Sequence, residues 1–339
     1  MKELYSGAIV TSRVRLARNL KNYRFFSTLT DKSVAREIIN RTYSALLRYG
    51  KFTLYEVGSL EPMLLEELKE RYLISESLKR NAFSGAVAVH DAGNISVMIN
   101  EEDHIREQYI LQSGDLLAAY KNLAILDRWL NSYLNFSKSQ NLGYITACPT
   151  NLGTGLRASV MMFLPALTKM NYISDLYERA RVKGLTVRGA FGEGSTGQSC
   201  LYQVSNEVTL GRTEVAIIKD VQSFVTETAE SECETQRIMY EDDRLPTEDF
   251  IFRSLGILAN CRLLSYEEFS KHLANVKLGA MLDLIKVKDI KALDDLLVTA
   301  RPATLSRLLK TGENDPAFLN MDENRASYVR NCIKKILVD

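Results

Sequence analysis

Five arginines lie at predicted turns or at the ends of predicted elements, and all but Arg106 are close to a glycine, serine or threonine. They are Arg13, Arg15, Arg106, Arg157 and Arg188. Arg13 and Arg15 are two residues apart, so on a strand both side chains project from the same face. A planar guanidinium can bind phosphate oxygens with two parallel hydrogen bonds. Any one of these arginines is best explained as a solvated surface charge, but the five together suggest a site for a polyphosphate.

Carboxylates form a second group of candidate functional residues. Glu101, Glu102 and Asp103 follow the apolar segment ISVMI, and Glu193 lies in a glycine-rich segment. A carboxylate at the end of a buried strand can bind Mg²⁺, accept a proton or cap a helix. For Glu101 and Asp103 we favour a cap on a helix that starts at Asp103. Glu102 and Glu193 are instead a candidate pair for clamping a cation.

Cys148 is the cysteine whose surroundings suggest chemistry. It ends a predicted strand and enters the polar, glycine-containing loop PTNLGTG, which leads to a predicted helix. Most single cysteines are buried packing residues, although a thiol near a helix N-terminus and several arginines can be reactive. The chain has three histidines, His90, His104 and His272, and nothing near Cys148 in the sequence supports a Cys-His hydrolase.

The segment GEGSTG at residues 192–197 fits the pattern G-x-G-x-x-G. In a dinucleotide-binding fold this pattern must open a helix, whereas the following residues, QSCLYQVSNEVTL, are typical of a strand. The V-A-I-K, H-R-D and D-F-G elements of protein kinases are absent from the sequence, and so is a P-loop. The glycines therefore indicate neither of these nucleotide-binding folds.

The elements that must position these residues are predicted to form an α+β fold, with an antiparallel sheet flanked by helices. Strands are predicted for SGAVAVH, ISVMIN, YITACP, LTVRGAF, LYQVSNEVTL and EVAIIKDV. Helices are predicted for DHIREQYILQSGDLLAAYKNLAILDRWLNSYL and LRASVMMFLPALTKM.

From Thr226 onward the pattern is almost wholly helical, with a turn at Asp243 to Pro246. Ser265 and Glu268 have the spacing of a capping box before an apolar helix. We therefore predict an α+β domain over residues 8–235 and an all-helical C-terminal domain over residues 236–339.

Composition excludes several classes of protein. The 43 basic and 42 acidic residues leave a net charge of +1, so no global field favours nucleic acid or a membrane surface. The sequence has no apolar segment typical of a signal peptide or a membrane span, which predicts a cytoplasmic protein. Its five cysteines are scattered, which predicts reduced thiols and neither a zinc site nor disulfides.

Four motifs together resemble the phosphagen (guanidino) kinase family, and specifically the bacterial protein arginine kinases of the McsB type. The motifs are TSRVRLARNL, INEEDHIR, CPTNLGTGLRAS and RGAFGEG, in the family's order and approximate spacing. The helical tail is also similar to that family's C-terminal domain. Where the family usually has histidine in a short H-L-[IV]-S segment, this sequence has Tyr72 in YLIS.

The resemblance implies roles for individual residues. The implied catalytic residues are Glu102 and Glu193, which would bind the acceptor guanidinium, and Cys148 beside it. The implied ATP-binding residues are Thr11, Ser12, Arg13, Val14, Arg15, Arg106, Arg157, Ala158, Ser159, Val160, Met161, Arg188, Gly189, Ala190, Phe191, Gly192 and Glu193. The cofactors implied are ATP and Mg²⁺. A guanidinium is not nucleophilic until it loses a proton, and we choose Glu102 as the base.

The acceptor is expected to be an arginine side chain in another protein. Kinases of small guanidino metabolites carry an additional N-terminal helical domain, whereas Ser12 is almost at the start of this sequence. Two alternatives stay open: a kinase for free arginine or a similar metabolite, and a non-catalytic adaptor that binds phosphoarginine.

The resemblance also implies partners and a second site. The implied partners are a zinc-binding activator protein, a heat-shock repressor as substrate, an AAA+ protease that recognises the mark, and a second copy in a homodimer. In the tail, MDENRA resembles the family's R-D-x-x-R-A motif for phosphoarginine, with Met321 in place of the first arginine. Asp322 and Arg325 would hold the ligand, or else Asp322 caps a helix and Arg325 is solvated.

Overall fold

The fold of the chain is described by a computed structural model covering residues 7–29, 31–189, 199–310 and 320–338. One large antiparallel sheet is covered by helices on its core face, and a group of helices follows in the sequence. This confirms the predicted α+β class with a helical C-terminal part.

Within the described residues the sheet has eight strands in the order β2-β3-β4-β5-β1-β8-β10-β9, and every neighbouring pair is antiparallel. Its strands are β1 (Ile9–Arg18), β2 (Phe52–Glu56), β3 (Ala86–His90), β4 (Ile95–Ile99), β5 (Ile105–Leu111), β8 (Leu156–Phe163), β9 (Leu185–Gly189) and β10 (Leu201–Asn206). A separate two-stranded ribbon is formed by β6 (Lys138–Ser139) and β7 (Gly143–Tyr144).

The helices divide between the two parts of the molecule. Those before residue 214 are α1 (Lys32–Tyr49), α2 (Pro62–Glu70), α3 (Glu76–Arg80), α4 (Leu116–Leu134), α5 (Pro165–Lys169) and α6 (Ile173–Val182). The later ones are α7 (Glu214–Asp242), α8 (Arg244–Asn260), α9 (Tyr266–Met281), α10 (Lys291–Thr299), α11 (Pro302–Leu309) and α12 (Met321–Ile336). None of the helices within the described ranges is long and apolar enough to cross a bilayer.

Strand β1 lies near the middle of the sheet and separates the core from the candidate site. Val14 and Leu16 are buried in the main hydrophobic core, while Arg13 and Arg15 alternate with them and lie on the opposite face. The predicted shared face of these two arginines is therefore confirmed. In the register of the sheet, Arg15 is directly opposite Arg157 on β8, which places two like charges side by side.

The two largest hydrophobic clusters among the described residues support the two parts. The first lies between the sheet and α1, α4 and the start of α7, and the second lies among the later helices. Helix α7 is continuous through residues 235 and 236, so the predicted domain boundary falls inside a helix. The division at that residue stays a prediction.

Several local predictions were wrong because buried strands and buried helices have similar compositions. IREQYIL forms β5, not the start of a helix, and its buried residues include Glu107. LRASVMMF forms the central strand β8. EVAIIKDV begins α7, where Ile217, Ile218 and Val221 are buried at helical spacing, and most of YITACP is irregular. The predicted N-cap of α9 is confirmed, since Ser265 Oγ accepts from Glu268 N at 3.1 Å.

Candidate active site

A cavity of about 340 Å³ opens on the polar face of the sheet. Its lining brings together all five arginines singled out from the sequence with Glu102 and Cys148. The full lining comprises Arg13, Arg15, Ala17, Glu101, Glu102, Asp103, Arg106, Cys148, Thr150, Asn151, Gly155, Arg157, Arg188 and Gln203. Residues from five strands and two loops therefore meet at one place.

The five arginines of this cavity form an arginine cluster, which comprises Arg13, Arg15, Arg106, Arg157 and Arg188. Among the described residues, only Arg106 of the five forms a salt bridge, to Glu101 at 2.6 Å. Arg13 and Arg157 donate instead to neutral oxygens, at 2.8 Å to Gln203 and 3.2 Å to Ser205. The cluster thus carries more positive charge than its described neighbours neutralise.

Burial and mutual repulsion lower the pKa values of arginines in the cluster. Burial, with Arg106 and Arg157 nearby, lowers the pKa of Arg13 to about 10. Burial and the neighbouring arginines also lower the pKa of Arg15 well below its ordinary value. Arg15 Nε is inaccessible to solvent and has no hydrogen-bond partner among the described residues. An unpaired buried donor is costly, so the cluster is suited to an anion that would supply the missing acceptors.

The loop between β4 and β5 holds the three adjacent carboxylates, and no helix starts there. The expectation that Glu101 and Asp103 cap a helix is therefore wrong, because the chain turns directly into β5. Glu101 accepts from Arg106 and from Ser75 Oγ, and Asp103 accepts from Asn19 Nδ2 and Ala147 N, each at 2.6 Å. Through these hydrogen bonds, both carboxylates hold the loop in place.

Glu102 differs from its two neighbours because it is exposed at the cavity. Desolvation, followed by the charges of Asp103 and Glu101, raises the pKa of Glu102 above its ordinary value. Arg106 and a hydrogen bond with Cys148 act in the opposite direction. A carboxylate with a raised pKa beside a polar cavity is a candidate proton acceptor.

Cys148 lies beside Glu102 at the start of a single 3₁₀ turn, Pro149–Asn151, and its Sγ is 3.0 Å from Thr150 Oγ1. The predicted helix after this loop is absent, and the chain enters β8 instead. The loop is fixed where Gly153 (φ +108°) pairs with Tyr144. A side chain at Gly153 would collide with the backbone of Thr209 and Leu210, so glycine is required there.

The remaining predicted nucleotide-binding residues have different surroundings. Val14, Ala158 and Val160 are fully buried in the core, which leaves only their backbones near the site, and buried Ser12 donates to Ser113 O at 2.6 Å. Gly189 ends β9. Residues Ala190, Phe191, Gly192 and Glu193 lie outside the described residues.

A second cavity, of about 490 Å³, adjoins the first. Thr11, Ser159 and Met161, three of the predicted nucleotide-binding residues, line it. Its full lining is Val10, Thr11, Arg13, Arg71, Tyr72, Ala92, Gly93, Asn94, Ile110, Gln112, Ser159, Met161, Leu201, Gln203, Asp294, Asp295, Leu297, Val298, Thr299 and Arg301. Sequence reasoning missed the contributions of Gln203 and of the helical part, since neither lies in a recognisable motif.

Comparison with known proteins identifies the family. The profile described as ATP:guanido phosphotransferase, C-terminal catalytic domain, matches residues 34–235, and the profile described as protein-arginine kinase McsB C-terminal domain matches residues 244–337. The chain belongs to the protein-arginine kinases of the ATP:guanido phosphotransferase family. It is thus an ATP-dependent guanido phosphotransferase, as the four sequence motifs predicted.

Curated relatives extend this similarity over nearly the whole chain. The protein-arginine kinase of Bacillus pumilus is 35% identical, over 97% of this chain and 91% of the relative. That of Geobacillus kaustophilus is 36% identical over the same shares. That of Caldanaerobacter subterraneus subsp. tengcongensis is 34% identical over 99% of both chains.

Solved structures of metabolite kinases share the fold. The duplicated taurocyamine kinase from Schistosoma mansoni, solved with transition-state-analogue components, has a TM-score of 0.62 and 28% identity. The alignment covers 79% of this chain and 38% of that one. Lombricine kinase, at 23% identity, shows the fold alone, with a TM-score of 0.60 over 67% of this chain and 66% of that one.

The two tail residues of the predicted phosphoarginine site differ in burial, since the Arg325 side chain is buried while that of Asp322 is exposed. Arg325 is 2% exposed and donates to Ala300 O at 2.9 Å, Leu264 O at 2.8 Å and Asp322 Oδ1 at 2.7 Å. Asp322 and Arg325 share a face of α12 as predicted, but the alternative that Arg325 is solvated is wrong. Phosphoarginine binding at this position stays a prediction.

Proposed function

We propose that this chain transfers the γ-phosphoryl group of ATP to the guanidinium of arginine side chains in proteins. The observation that carries the proposal is the cavity in which the arginine cluster faces Glu102 and Cys148. One side of that cavity suits the phosphates of the donor, and the other suits a cationic acceptor that must lose a proton. Phosphoryl transfer depends mainly on such positioning and on charge stabilisation.

The arginine cluster would form the donor side of the site. Arg15 Nε, which lacks a partner among the described residues, and the half-buried Arg13 and Arg157 would bind phosphate oxygens. Bound phosphates would counteract the burial and the repulsion by Arg106 and Arg157 that lower the pKa of Arg13. Mg²⁺ would accompany the nucleotide and neutralise charge on the transferring group. Among the described residues no set of three or more potential ligands forms a metal site of its own, and we assign no protein ligand to this ion.

Glu102 is the proposed base on the acceptor side. It would take a proton from the target guanidinium, whose freed nitrogen forms a bond to the γ-phosphorus while the bond from that phosphorus to the β,γ-bridging oxygen breaks. ADP leaves with the electron pair of the broken bond. The raised pKa of Glu102 makes it a stronger base than an ordinary carboxylate. Glu193, assigned by resemblance, would hold the other guanidinium nitrogens.

Cys148 is proposed to orient the acceptor and not to form a covalent intermediate. Its hydrogen bond with Glu102 lowers the pKa of that carboxyl, opposing the effect of burial. Its thiol also contacts Thr150, so both groups that touch it are polar. In this position the sulfur would lie beside the guanidinium that Glu102 deprotonates.

An arginine within a protein is favoured over a free metabolite by the relatives. Protein-arginine kinases match nearly the whole chain at 34–37% identity, and the profile of their C-terminal domain matches residues 244–337. The metabolite kinases cover less of the chain at lower identity. Free arginine stays the alternative acceptor.

The wider role is proposed from the resemblance alone. Phosphorylated arginines would mark proteins for regulated proteolysis in a cytoplasmic stress response. The partners would be a zinc-binding activator, a heat-shock repressor and an AAA+ protease. A homodimer is supported by exposed apolar side chains of the helical part, such as Leu245 and Leu263, which are 76% and 68% exposed.

The test is to incubate the protein with ATP, Mg²⁺ and either an unfolded protein or free arginine. We expect acid-labile, base-stable phosphate on the unfolded protein, formed by the wild type and by the surface variant Glu178→Gln. Glu102→Gln should reduce the rate by a factor of about 10² to 10⁴. Phosphate on free arginine alone would select the metabolite alternative, and no transfer to either acceptor would refute the proposal.

A further inference from the structure

The two cavities described above meet at one pair of side chains. Arg13 and Gln203 line both cavities, and Arg13 Nη2 donates to Gln203 Oε1 at 2.8 Å. A ligand with an anionic end among the arginines could therefore continue past this pair into the 490 Å³ cavity. That volume is within the usual range for small-molecule sites.

The second cavity has walls from both parts of the molecule. The sheet contributes Thr11, Ile110, Ser159 and Met161, and the opposite wall is Leu297, Val298, Thr299 and Arg301. The lining combines apolar side chains with polar groups and with charges of both signs, Arg13, Arg71 and Arg301 against Asp294 and Asp295. This mixture suits a planar base and a sugar better than a second highly charged group.

Arg301 is the most firmly held residue of the helical wall. It donates to Glu70 O and Tyr72 Oη, each at 2.6 Å, and to Tyr266 Oη at 3.3 Å. All three acceptors are neutral oxygens, and the described residues include no carboxylate within salt-bridge distance of Arg301. Its positive charge and planar face are thus fixed beside the cavity.

Tyr72 joins this wall to the arginine cluster. Its ring is 4.8 Å from the Arg301 guanidinium carbon and 6.0 Å from that of Arg13. Its backbone has φ +60° and is held by bonds from Tyr72 N to Lys69 O and from Gln108 Nε2 to Tyr72 O. Arg13, Tyr72 and Arg301 therefore form a continuous line from the first cavity to the helical part.

We infer that the helical part completes the ATP site: the nucleoside lies in the second cavity, and Arg301 with the Leu297–Thr299 segment contacts it. This rests on the proposed function, because it takes ATP as the ligand of the arginine cluster. Arg301 lies outside the matched catalytic-domain profile, which ends at residue 235. The nucleotide would then bridge the two parts, and its affinity would depend on residues of both.

The competing explanation is that Arg301 only joins the two parts. The chain offers a matched control, because Arg307 on α11 forms an ion pair with Glu67 on α2. That contact also crosses between the parts, yet neither residue lines the second cavity. Glu70 adds a further junction by accepting from Thr304 N at 2.7 Å. A purely structural role predicts similar consequences for Arg301→Ala and Arg307→Ala.

The test is calorimetric titration of the full chain with ATP and, separately, with inorganic tripolyphosphate, which lacks the nucleoside. Arg301→Ala should weaken ATP binding about tenfold, as for loss of a stacking and cationic contact, and leave tripolyphosphate binding unchanged. Arg307→Ala should change neither affinity. Equal losses of ATP affinity in the two variants, or a loss of both ligands in Arg301→Ala, would overturn the inference.

A second variant tests the same inference without removing the hydrogen bonds of Arg301. Val298→Trp should fill the second cavity from the helical side and weaken ATP binding by about tenfold or more, while tripolyphosphate binding reports that the fold is intact. Unchanged ATP affinity in this variant would contradict the inference. Failure of the proposed function would appear differently, as absent phosphate transfer by the wild type, whereas these affinities need no acceptor.

Discussion

Arginines in two regions of this molecule have opposite surroundings. Arg15 lies in the active-site cavity with Nε unpaired among the described residues, directly opposite another arginine in the sheet. Arg325 in the helical part is almost completely buried and bonded to two carbonyls and Asp322. Arg18, three residues after Arg15 on the same strand, is likewise paired, with Asp127 at 2.7 Å.

The comparison separates arginines that stabilise the fold from arginines that await a ligand. A buried charge is tolerated where acceptors surround it, and breaking such a pair is strongly destabilising. Like charges that lie together without enough counterions lower the stability of the fold. Their presence in the arginine cluster therefore indicates a function. Residue type and spacing alone do not distinguish the two cases.

The largest expected effect concerns Arg18, a paired arginine. Arg18→Ala should lower the free energy of unfolding by about 3 to 5 kcal/mol, because it leaves Asp127 buried without its partner. Asp127 would also face the buried Glu107, whose pKa is already raised by burial and by Asp127. Urea denaturation measures the change. The double variant Arg18→Met with Asp127→Leu should recover much of the loss, and a stability unchanged in Arg18→Ala would contradict the assignment.

The tail arginine should show a smaller structural effect. Arg325→Ala leaves the carbonyls of Ala300 and Leu264 without this donor, and we expect a loss of about 1 to 3 kcal/mol in unfolding free energy.

Weak binding of phosphoarginine at the tail, absent in Arg325→Ala, should strengthen about tenfold in Met321→Arg through one added charge-assisted contact. Titration with free phosphoarginine measures this. Absence of tail binding in both the wild type and Met321→Arg would leave Arg325 a purely structural residue.

The smallest expected effect is a shift in pH dependence. Burial, Asp103 and Glu101 raise the pKa of Glu102, so loss of activity on acidification should begin above the ordinary glutamate pKa of about 4.3. Asp103→Asn removes one negative neighbour and keeps Oδ1 as an acceptor, so the acid limb of kcat/KM should move to lower pH. The wild type and Asp103→Asn are measured with the same substrates, so a difference between their pH profiles reports a titrating group of the enzyme. A shift to higher pH would remove Glu102 as the base.

Sequence reasoning was more accurate about which residues meet in the cavity than about the elements around it. The shared face of Arg13 and Arg15 followed from the two-residue period of a strand, which is a local property. β5 was missed because buried Glu107 interrupts its apolar pattern and because it runs closely into α4. Arg301 could not be found, because its contact with Tyr72 joins residues that only the tertiary fold brings together.

Arg15→Ala is the variant that tests the central claim most directly, since it removes an unpaired member of the arginine cluster. Calorimetry should show ATP and tripolyphosphate binding weakened by about one to two decades, because a charge-assisted contact is worth about 1.5 to 3 kcal/mol. The free energy of unfolding without ligand should stay equal or rise, because repulsion with Arg13 and Arg157 is relieved. Unchanged affinity together with a loss of stability like that of Arg18→Ala would contradict the account and make Arg15 a structural residue.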